Sequence, residues 1–499
     1  MDFYLEPDKA IPEVLSAPYK LSFGKQLSQE ISLPDFYEDL ARIIDCSAKA
    51  VVTETELSDG VLSVSGEVSY SILYYSDKDS ILHRFLFEQE FEAKWDADEE
   101  SKLLDIILSC REPSVRIYGT RKLSVSMDCD FTVFLCKAGN LKMPDTQNAE
   151  LMQKTGETFT YERLESEKSR FSEDFIIPPE YPSLEEIVYW DLSKGAAVGQ
   201  TRADGLLVSS DAQLFVIYTD ENGEYVSYKT KLPLTALVRE VSGDYVCADL
   251  FVYSPKCAAI SDSNGENRRI ALDFELSASA LVLANKQFTY VADAYCTDCQ
   301  SKLEVSELSL GRAEGTFDKQ FTVKDLIAND GEIKELLAVR TNPELLKTRR
   351  DGEMLYGEGT CNCTVLAKTE SGGMSAYEHA VTFDISLRLS ENAENTVIKV
   401  ETEKVNFESV KDGFEIEIEV KASVNAFSQS DVMYVTQITK GEREDKEEDC
   451  SMLIYYPDKD ESLWEIGKKH RASTEKIVTV NKLDSEDIKN RKFILIPKR

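Results

Sequence analysis

Histidines and nucleotide-binding motifs, which carry much of enzyme chemistry, are sparse in this chain. The three histidines, His83, His379 and His470, are far apart in the sequence, and none lies in a zinc-protease motif or a nucleophile elbow. Gly357-Glu358-Gly359 has no lysine after it, so it does not form a phosphate-binding loop. Carboxylates are so abundant that close pairs arise by chance. The sequence therefore predicts no catalytic residue, no cofactor and a protein that is not an enzyme.

The eleven cysteines are scattered, and one close pair has the spacing of a metal or redox site. Cys296-Thr297-Asp298-Cys299 has the form of half a zinc site or of a dithiol pair, but it lacks a second such motif and a β-α-β context. Cys361 and Cys363 align with Tyr70 and Ile72 of an earlier, similar segment, which indicates buried strand residues. An odd number of dispersed cysteines is typical of reduced thiols. We therefore predict no metal site and no disulfide framework.

The last 49 residues show an orderly succession of strand and helix signals. Leu463, Ile466 and Gly467 recur at i, i+3 and i+4, which predicts a helix with one apolar stripe. Ser473 suits the N-cap of a second helix. The predicted order is β-α-α-β: a strand at Leu453–Tyr456, a polar turn at Pro457–Glu461, helices at Ser462–His470 and Ser473–Asn481 with Ile477, Val478 and Val480 on the buried side of the second, and a closing strand at Phe493–Pro497.

This module resembles the LysM family, whose best-known ligands are chains of N-acetylglucosamine. The resemblance rests on Ser462-Leu463-Trp464-Glu465-Ile466, on Asn481 with Leu483, and on the terminal Ile496-Pro497. Two turns that flank the family's sugar groove depart from its pattern. Lys459-Asp460-Glu461 replaces a Gly-Asp pair, and Asn490-Arg491 replaces a Pro-Gly pair. Without the glycine, side chains stand where a glycan needs close approach to the backbone. The alternative is a LysM fold that binds protein or has no ligand.

The residues that flank these turns and helices are the candidates for binding a partner. Trp464 is open to two interpretations, a core residue or an exposed anchor, and interfaces favour Trp and Arg as hot spots. The complete candidate set is Lys459, Asp460, Glu461, Trp464, Arg471, Asn481 and Arg491.

Charge and composition limit the classes of partner. The net charge of −34 argues against nucleic acid, because phosphate binding needs clustered Lys and Arg. Residues 451–499 hold 11 Lys and Arg against 8 Asp and Glu, a net of +3, which leaves −37 for residues 1–450. The hydrophobic share of 42% is enough for folded cores. The acidic start Met1–Pro7 lacks the basic and apolar regions of a secretion signal, and no apolar run approaches the ~20 residues of a membrane span. We expect a cytosolic protein without membrane insertion.

Two independent landmarks repeat along the acidic part. Asp-Gly pairs begin at Asp59, Asp204 and Asp351, which are 145 and 147 residues apart. Each precedes a strand-like run. Later runs alternate apolar and polar residues, as half-buried strands do, and begin at Leu123, Ile270 and Phe414, at spacings of 147 and 144.

Three tandem copies of one β-fold follow from these spacings. Scarce helical periodicity favours antiparallel β-sandwiches, with a barrel as the alternative. Polar composition at Lys137–Lys168 and Thr297–Gln320 indicates linkers, and the charged run Lys440–Asp449 indicates a flexible tether that leaves the terminal module free to engage a surface. The predicted units are β-domains at 20–140, 165–290 and 312–438, a charged linker at 439–451, and a LysM module at 452–498.

The whole layout resembles the SPOCS-domain proteins of endospore-forming bacteria, and most of all their clostridial spore-coat morphogenetic members. The resemblance implies a scaffold in the mother-cell cytoplasm, at the forespore surface, that helps the coat to encase the spore. It implies that LysM docks on the ATPase of the coat's basement layer while the β-domains recruit or brace other coat proteins. The alternative function is a protein that binds peptidoglycan in the cell wall or cortex through LysM.

Overall fold

The structure is a computed structural model that describes residues 13–78, 81–144, 149–260, 267–329, 331–443, 451–483, 488 and 491–497. The chain is 76% strand and 3% helix, in multiple antiparallel sheets followed by a small C-terminal module. This confirms the predicted fold class. The two helices found among the described residues both lie in that module.

The first repeat is a pair of sheets that face each other across a hydrophobic core. Strand β8 is the centre of one sheet and pairs with β2, β6, β7 and the short β1. Strand β4 is the centre of the other sheet and pairs with β3 and β5. The strands are β1 Glu13–Leu15, β2 Tyr19–Ser32, β3 Leu40–Ser58, β4 Val61–Ser76, β5 Leu82–Asp96, β6 Ser101–Cys110, β7 Ser114–Gly119 and β8 Lys122–Asn140.

The second repeat follows the same plan. Strand β16 pairs with β9, β10 and β15, and β13 pairs with β11, β12 and β14, with these bounds: β9 Ala149–Glu165, β10 Ser169–Ile176, β11 Glu186–Lys194, β12 Val198–Arg202, β13 Gly205–Thr219, β14 Tyr225–Val238, β15 Tyr245–Ile260 and β16 Arg269–Cys296.

The third repeat uses fewer and longer strands. Strand β22 pairs with β17 and β21, and β19 pairs with β18 and β20, with these bounds: β17 Cys299–Ala328, β18 Ile333–Asp351, β19 Met354–Thr369, β20 Met374–Arg388, β21 Asn395–Val410 and β22 Gly413–Arg443. The C-terminal module then comprises β23 Met452–Tyr455, α1 Leu463–His470, α2 Thr474–Asn481 and β24 Ile494–Pro497.

The late strand of each repeat shows why the alternating pattern predicts a sandwich. In β8, β16 and β22 one side chain in two points into the core between the sheets, as a strand with one buried face requires. Every apolar member of the three predicted runs is buried: Leu123, Val125, Met127, Cys129, Phe131 and Val133; Ile270, Leu272, Phe274, Leu276 and Ala278; Phe414, Ile416, Ile418, Val420, Ala422 and Val424.

In the first and third repeats a glycine packs against a phenylalanine on the neighbouring strand, and this contact corrects the alignment of the two repeats. Gly66 pairs with Phe91 across β4 and β5, and Gly359 pairs with Phe383 across β19 and β20. In both places a side chain on the glycine would collide with the ring. Gly66 therefore corresponds to Gly359, two positions later than the predicted match. Cys361 and Cys363 are buried as predicted, but they correspond to Val68 and Tyr70.

The two segments interpreted as linkers are strands, so that interpretation was wrong. Residues 149–165 form β9 and pair with β16 from Ser279 to Cys296. The first half of β17 pairs with the end of β22. These ribbons extend beyond the sandwiches and keep many side chains in solvent, which explains their polar composition. Of the predicted tether, Lys440–Arg443 belongs to β22, and residues 444–450 lie outside the described part.

Hydrophobic clusters between the repeats join them into one body. Leu73, Ile217 and Leu366 occupy equivalent positions, the thirteenth residue of β4, β13 and β19, and all three are fully buried in a shared cluster. A second cluster contains Phe159 and Phe427, whose ring centroids are 5.0 Å apart. Each shared cluster draws residues from all three repeats.

A buried ion pair ties the third repeat to the first. Nη1 and Nη2 of Arg340 donate to the two carboxylate oxygens of Asp45, at 2.6 and 3.0 Å, and Nη1 lies 3.4 Å from the hydroxyl of Tyr189 in the second repeat. The Arg340 and Asp45 side chains are only 11% and 6% exposed. Burial disfavours the guanidinium charge, yet the neighbouring Tyr189 and Asp45 hold the pKa of Arg340 above its usual value.

A second group of charges joins the second and third repeats. Lys194 of β11 lies 3.2 Å from Asp249 and 3.1 Å from Glu401, and Lys399 also contacts both carboxylates. Burial alone would raise the pKa of Asp249, but the ammonium groups of Lys399 and Lys194 lower it well below its ordinary value. Asp249 is therefore a charged, paired carboxylate at this junction.

We predict that Arg340→Met destabilises the body by about 3–5 kcal/mol, because it leaves the Asp45 carboxylate buried without a partner. Urea unfolding followed by tyrosine fluorescence and circular dichroism measures the change. Arg388→Met is the matched control, because Arg388 is 75% exposed and its pair with Glu353 lies at the surface, so the change should be within about 1 kcal/mol. Equal effects of the two substitutions would contradict this account.

Candidate docking surface on the C-terminal module

The C-terminal module has the predicted β-α-α-β order and its own small core. Strands β23 and β24 pair antiparallel, with Leu453 opposite Ile496 and Tyr455 opposite Ile494. The helices cover the sheet face from which these side chains project. The buried members of this core are Leu463, Ile466, Ala472, Ile477, Ile488, Ile494 and Ile496.

Local sequence signals explain where the helices begin and end. Ser462 caps α1 in a capping box: its hydroxyl accepts from the Glu465 backbone N–H, and the Glu465 carboxylate accepts from the Ser462 backbone N–H at 2.7 Å. That backbone donor is the main reason that the pKa of Glu465 lies below its ordinary value. Ser473 stands at the N-cap of α2 as predicted, although its side chain makes no capping bond. Asn481 ends α2, as predicted.

Asn481 has a role inside the module. Its amide nitrogen donates to the carbonyl oxygens of Ile477 and Leu495, at 2.8 and 2.6 Å, and its amide oxygen accepts from the Leu495 N–H at 2.7 Å. The side chain thus fastens the end of α2 to β24. All of these polar groups are engaged within the module, so Asn481 holds its fold together. Val478 and Val480, predicted on the buried side of α2, are only half-buried.

Trp464 occupies neither of its two predicted environments. Its indole nitrogen donates to the carboxylate of Asp293 in β16 at 2.9 Å, and its ring meets Tyr295 edge to face with centroids 4.9 Å apart. Both partners belong to the β-body. Trp464 is therefore an anchor within the chain that attaches α1 to the second repeat.

Further contacts complete this junction between α1 and the body. Lys468 lies 2.6 Å from the Asp293 carboxylate, and the Tyr295 hydroxyl donates to the Ala472 carbonyl at 2.8 Å. Although partial burial acts to raise the pKa of Asp293, the hydrogen bonds from Lys468 and Trp464 lower it below its ordinary value. The Thr474 hydroxyl adds a bond to Glu150 at 3.0 Å. The module is thus docked on the β9–β16 ribbon, whereas the sequence predicted a module hanging free of the body.

The remaining predicted binding residues are placed as follows. Lys459 and Asp460 are exposed in the turn before α1, whereas Glu461 is half-buried and accepts from the Tyr455 hydroxyl at 2.9 Å. Arg471 is half-buried and ends α1 in the left-handed conformation, with φ of +50°. Arg491 is exposed. Asn490, named with Arg491 in the altered turn, lies outside the described residues.

The sequence interpretation missed an apolar surface on the other face of the module's sheet. Met452, Ile454, Tyr456 and Phe493 are 49%, 57%, 70% and 50% exposed, and we call these four residues the apolar strip. The rings of Tyr456 and Phe493 lie 6.5 Å apart between centroids. An available signal was the run of apolar residues in both strands. A two-stranded sheet covered by helices on one face leaves such residues exposed on the other.

The chemical motifs considered in the sequence are parts of the β-structure. Cys296 and Cys299 are buried in an apolar cluster between β16 and β17. Burial raises the pKa of the Cys136 thiol to about 12, which disfavours the reactive thiolate. His379 of β20 bonds at 2.9 Å to Asp325 of β17, which belongs to the other sheet of the third repeat. Across the described ranges, no group of three or more His, Cys, Asp or Glu side chains is arranged to hold a metal ion. Neither helix described has the length and apolarity needed to cross a bilayer.

Comparison with known families gives a match within the first repeat. Residues 39–110, which include β3 to β6, match the family model described as SipL, SPOCS domain. The match supports a SipL-like SPOCS protein with a sporulation-related role, and that family is not a known enzyme family. Comparison with curated proteins and with solved structures gave no match. The LysM resemblance stays a prediction.

Removing the body's half of the junction should loosen the module. We predict that the double variant Asp293→Ala, Tyr295→Ala speeds amide hydrogen exchange in residues 463–472 by roughly tenfold, because an ion pair, two hydrogen bonds and a ring contact are lost. Lys476→Ala, on the exposed side of α2, is the control and should leave exchange unchanged. Unchanged exchange in the double variant would show that the module is not held by these contacts.

Proposed function

We propose that this protein is a non-catalytic assembly factor of the spore coat, which acts in the mother-cell cytoplasm at the forespore surface. The observation that carries the proposal is the SPOCS match at residues 39–110. The matched segment lies in a body of three similar repeats, and the other two extend the same architecture along the chain. In this proposal the body braces or recruits other coat proteins.

The terminal module is the proposed docking end, and its partner is the ATPase of the coat's basement layer. Its positive net charge beside an acidic body favours a partner that the body alone would repel. The exposed apolar strip gives the module a contact surface typical of protein interfaces. The rigid junction at Asp293 and Tyr295 fixes the direction in which that surface faces.

The turn before α1 favours protein over glycan as the ligand of the module. Lys459 and Asp460 project into solvent there, and Glu461 is tied to Tyr455, so the close backbone approach that a glycine allows is missing. Trp464, an aromatic side chain of the kind that contacts ligands, is already bonded to Asp293. These contacts support protein docking, and peptidoglycan binding is the second candidate function.

Two binding experiments with the purified full-length protein test the proposal. One measures binding to the basement-layer ATPase, and the other measures binding to insoluble peptidoglycan. We expect saturable binding to the immobilised ATPase, measured by interferometry, and no co-sedimentation with peptidoglycan above that of an unrelated acidic protein. Binding to peptidoglycan alone would move the function to the cell wall or cortex. Binding to neither would remove the proposed docking partner.

Arg491 offers a separate test of the module's charge. We predict that Arg491→Glu weakens ATPase binding by roughly tenfold, since an exposed cation two residues before Phe493 of the apolar strip is replaced by an anion. Thermal unfolding should not change, because the Arg491 side chain is exposed. Lys476→Glu makes the same charge change on the exposed surface of α2 and should bind normally. If both substitutions weaken binding equally, net charge alone is responsible and Arg491 has no specific role.

A further inference from the structure

The apolar strip concentrates exposed hydrophobic area on a very small module. Met452 and Ile454 project from one face of the two-stranded sheet, and Tyr456 and Phe493 directly follow β23 and precede β24. Ile454 lies opposite Leu495, and Met452 lies opposite Pro497, so the apolar surface continues across both strands. Continuous exposed apolar surface of this kind marks interaction sites, whereas isolated exposed side chains are ordinary.

The docking of α1 on the body leaves this surface open. Leu453, Tyr455, Ile494 and Ile496 point to the helices, so the strip lies on the opposite face of the sheet. The contacts with Asp293 and Tyr295 are made by α1 and by the turn that follows it. The body therefore holds the module by its helical side. The strip has no partner among the described residues.

Positive charge and the free outer edge of β23 define the kind of segment that fits the strip. Arg491 and Lys492 are both exposed and precede Phe493 directly. Within the described chain, β23 pairs only with β24, so the outer edge of β23 is available for a further strand, whereas the side chain of Asn481 occupies the outer edge of β24 at Leu495. An extended segment can add to such an edge through its backbone while alternate side chains contact the sheet face.

We propose that the apolar strip binds an extended segment of another protein in which apolar side chains alternate with carboxylates. The apolar side chains of that segment contact Tyr456, Ile454 and Phe493, and its carboxylates contact Arg491 and Lys492. The inference deepens the proposed function, because it specifies the surface and the chemistry through which the module takes its partner.

A labelled peptide tests the chemistry without any assumption about the natural partner. The probe is a fluorescein-labelled decapeptide that alternates leucine and glutamate, titrated with the full-length protein and followed by anisotropy. We expect it to bind at least thirtyfold more tightly than the matched leucine–lysine peptide, with affinity that falls as salt rises. Equal binding of the two peptides would overturn the proposal.

Substitutions within the strip locate the binding. Phe493→Glu should weaken binding of the glutamate peptide at least thirtyfold. Ile454→Thr should weaken it less, and because threonine is β-branched and suits a strand, this variant keeps the test valid if Phe493→Glu unfolds the module. Val305→Glu is the matched control, since Val305 is a similarly exposed residue on β17. Binding that survives both strip variants would overturn the assignment.

The same variants separate this inference from the proposed function. If the glutamate peptide binds through the strip but the ATPase does not bind, the strip assignment stands and the proposed partner fails. If the ATPase binds equally to wild type, Phe493→Glu and Ile454→Thr, the strip assignment fails and the partner stands. Sedimentation velocity tests whether a second copy of this chain binds the strip instead. A dimer that Phe493→Glu abolishes would show that it does, which would overturn the proposal.

Discussion

The buried pairing of Arg340 with Asp45 is the constraint on which the rest of the structure depends. It joins residues 295 positions apart, in the third and first repeats, and Tyr189 of the second repeat lies beside it. Leaving either charge buried without the other is far more costly than breaking a surface pair, so the pair disfavours other arrangements of the packed repeats. The pair gives specificity, and the shared apolar clusters around Leu73 and Phe159 supply the hydrophobic stabilisation. Three sandwiches thereby become one body with a defined arrangement.

That arrangement determines what the terminal module can do. The ribbon of β9 and β16 extends from the second sandwich and carries Asp293 and Tyr295, which hold α1. An anchored module presents its sheet face in a fixed direction, so less orientational freedom is lost when a partner binds than with a module on a loose tether. The distribution of charge also distinguishes the module from the body. A basic module beside an acidic body favours the approach of an acidic molecule to the module over its approach to the body.

The sequence was informative where structure is set locally and uninformative where it is set at a distance. Alternation in the run from Leu123 predicts a half-buried strand because side chains in a strand alternate between two faces, and the spacing of Leu463, Ile466 and Gly467 predicts α1 for a similarly local reason. The ribbons of β9 and β17 looked like linkers because many of their side chains are in solvent and their partner strands lie far along the chain. Trp464 was ambiguous for the same reason, since its partner Asp293 is 171 residues away. The strip escaped notice because an apolar strand does not reveal which of its faces is covered.

Differential scanning calorimetry of the full-length protein tests most directly whether the three repeats form one body. If the buried pair and the shared clusters couple them, the repeats unfold together, and the ratio of the calorimetric to the van't Hoff enthalpy of the main transition is about one. Repeats that fold independently would instead give separate transitions, or one broad transition with a ratio of about three. That second result would contradict a single rigid body that holds its docking module in a fixed direction.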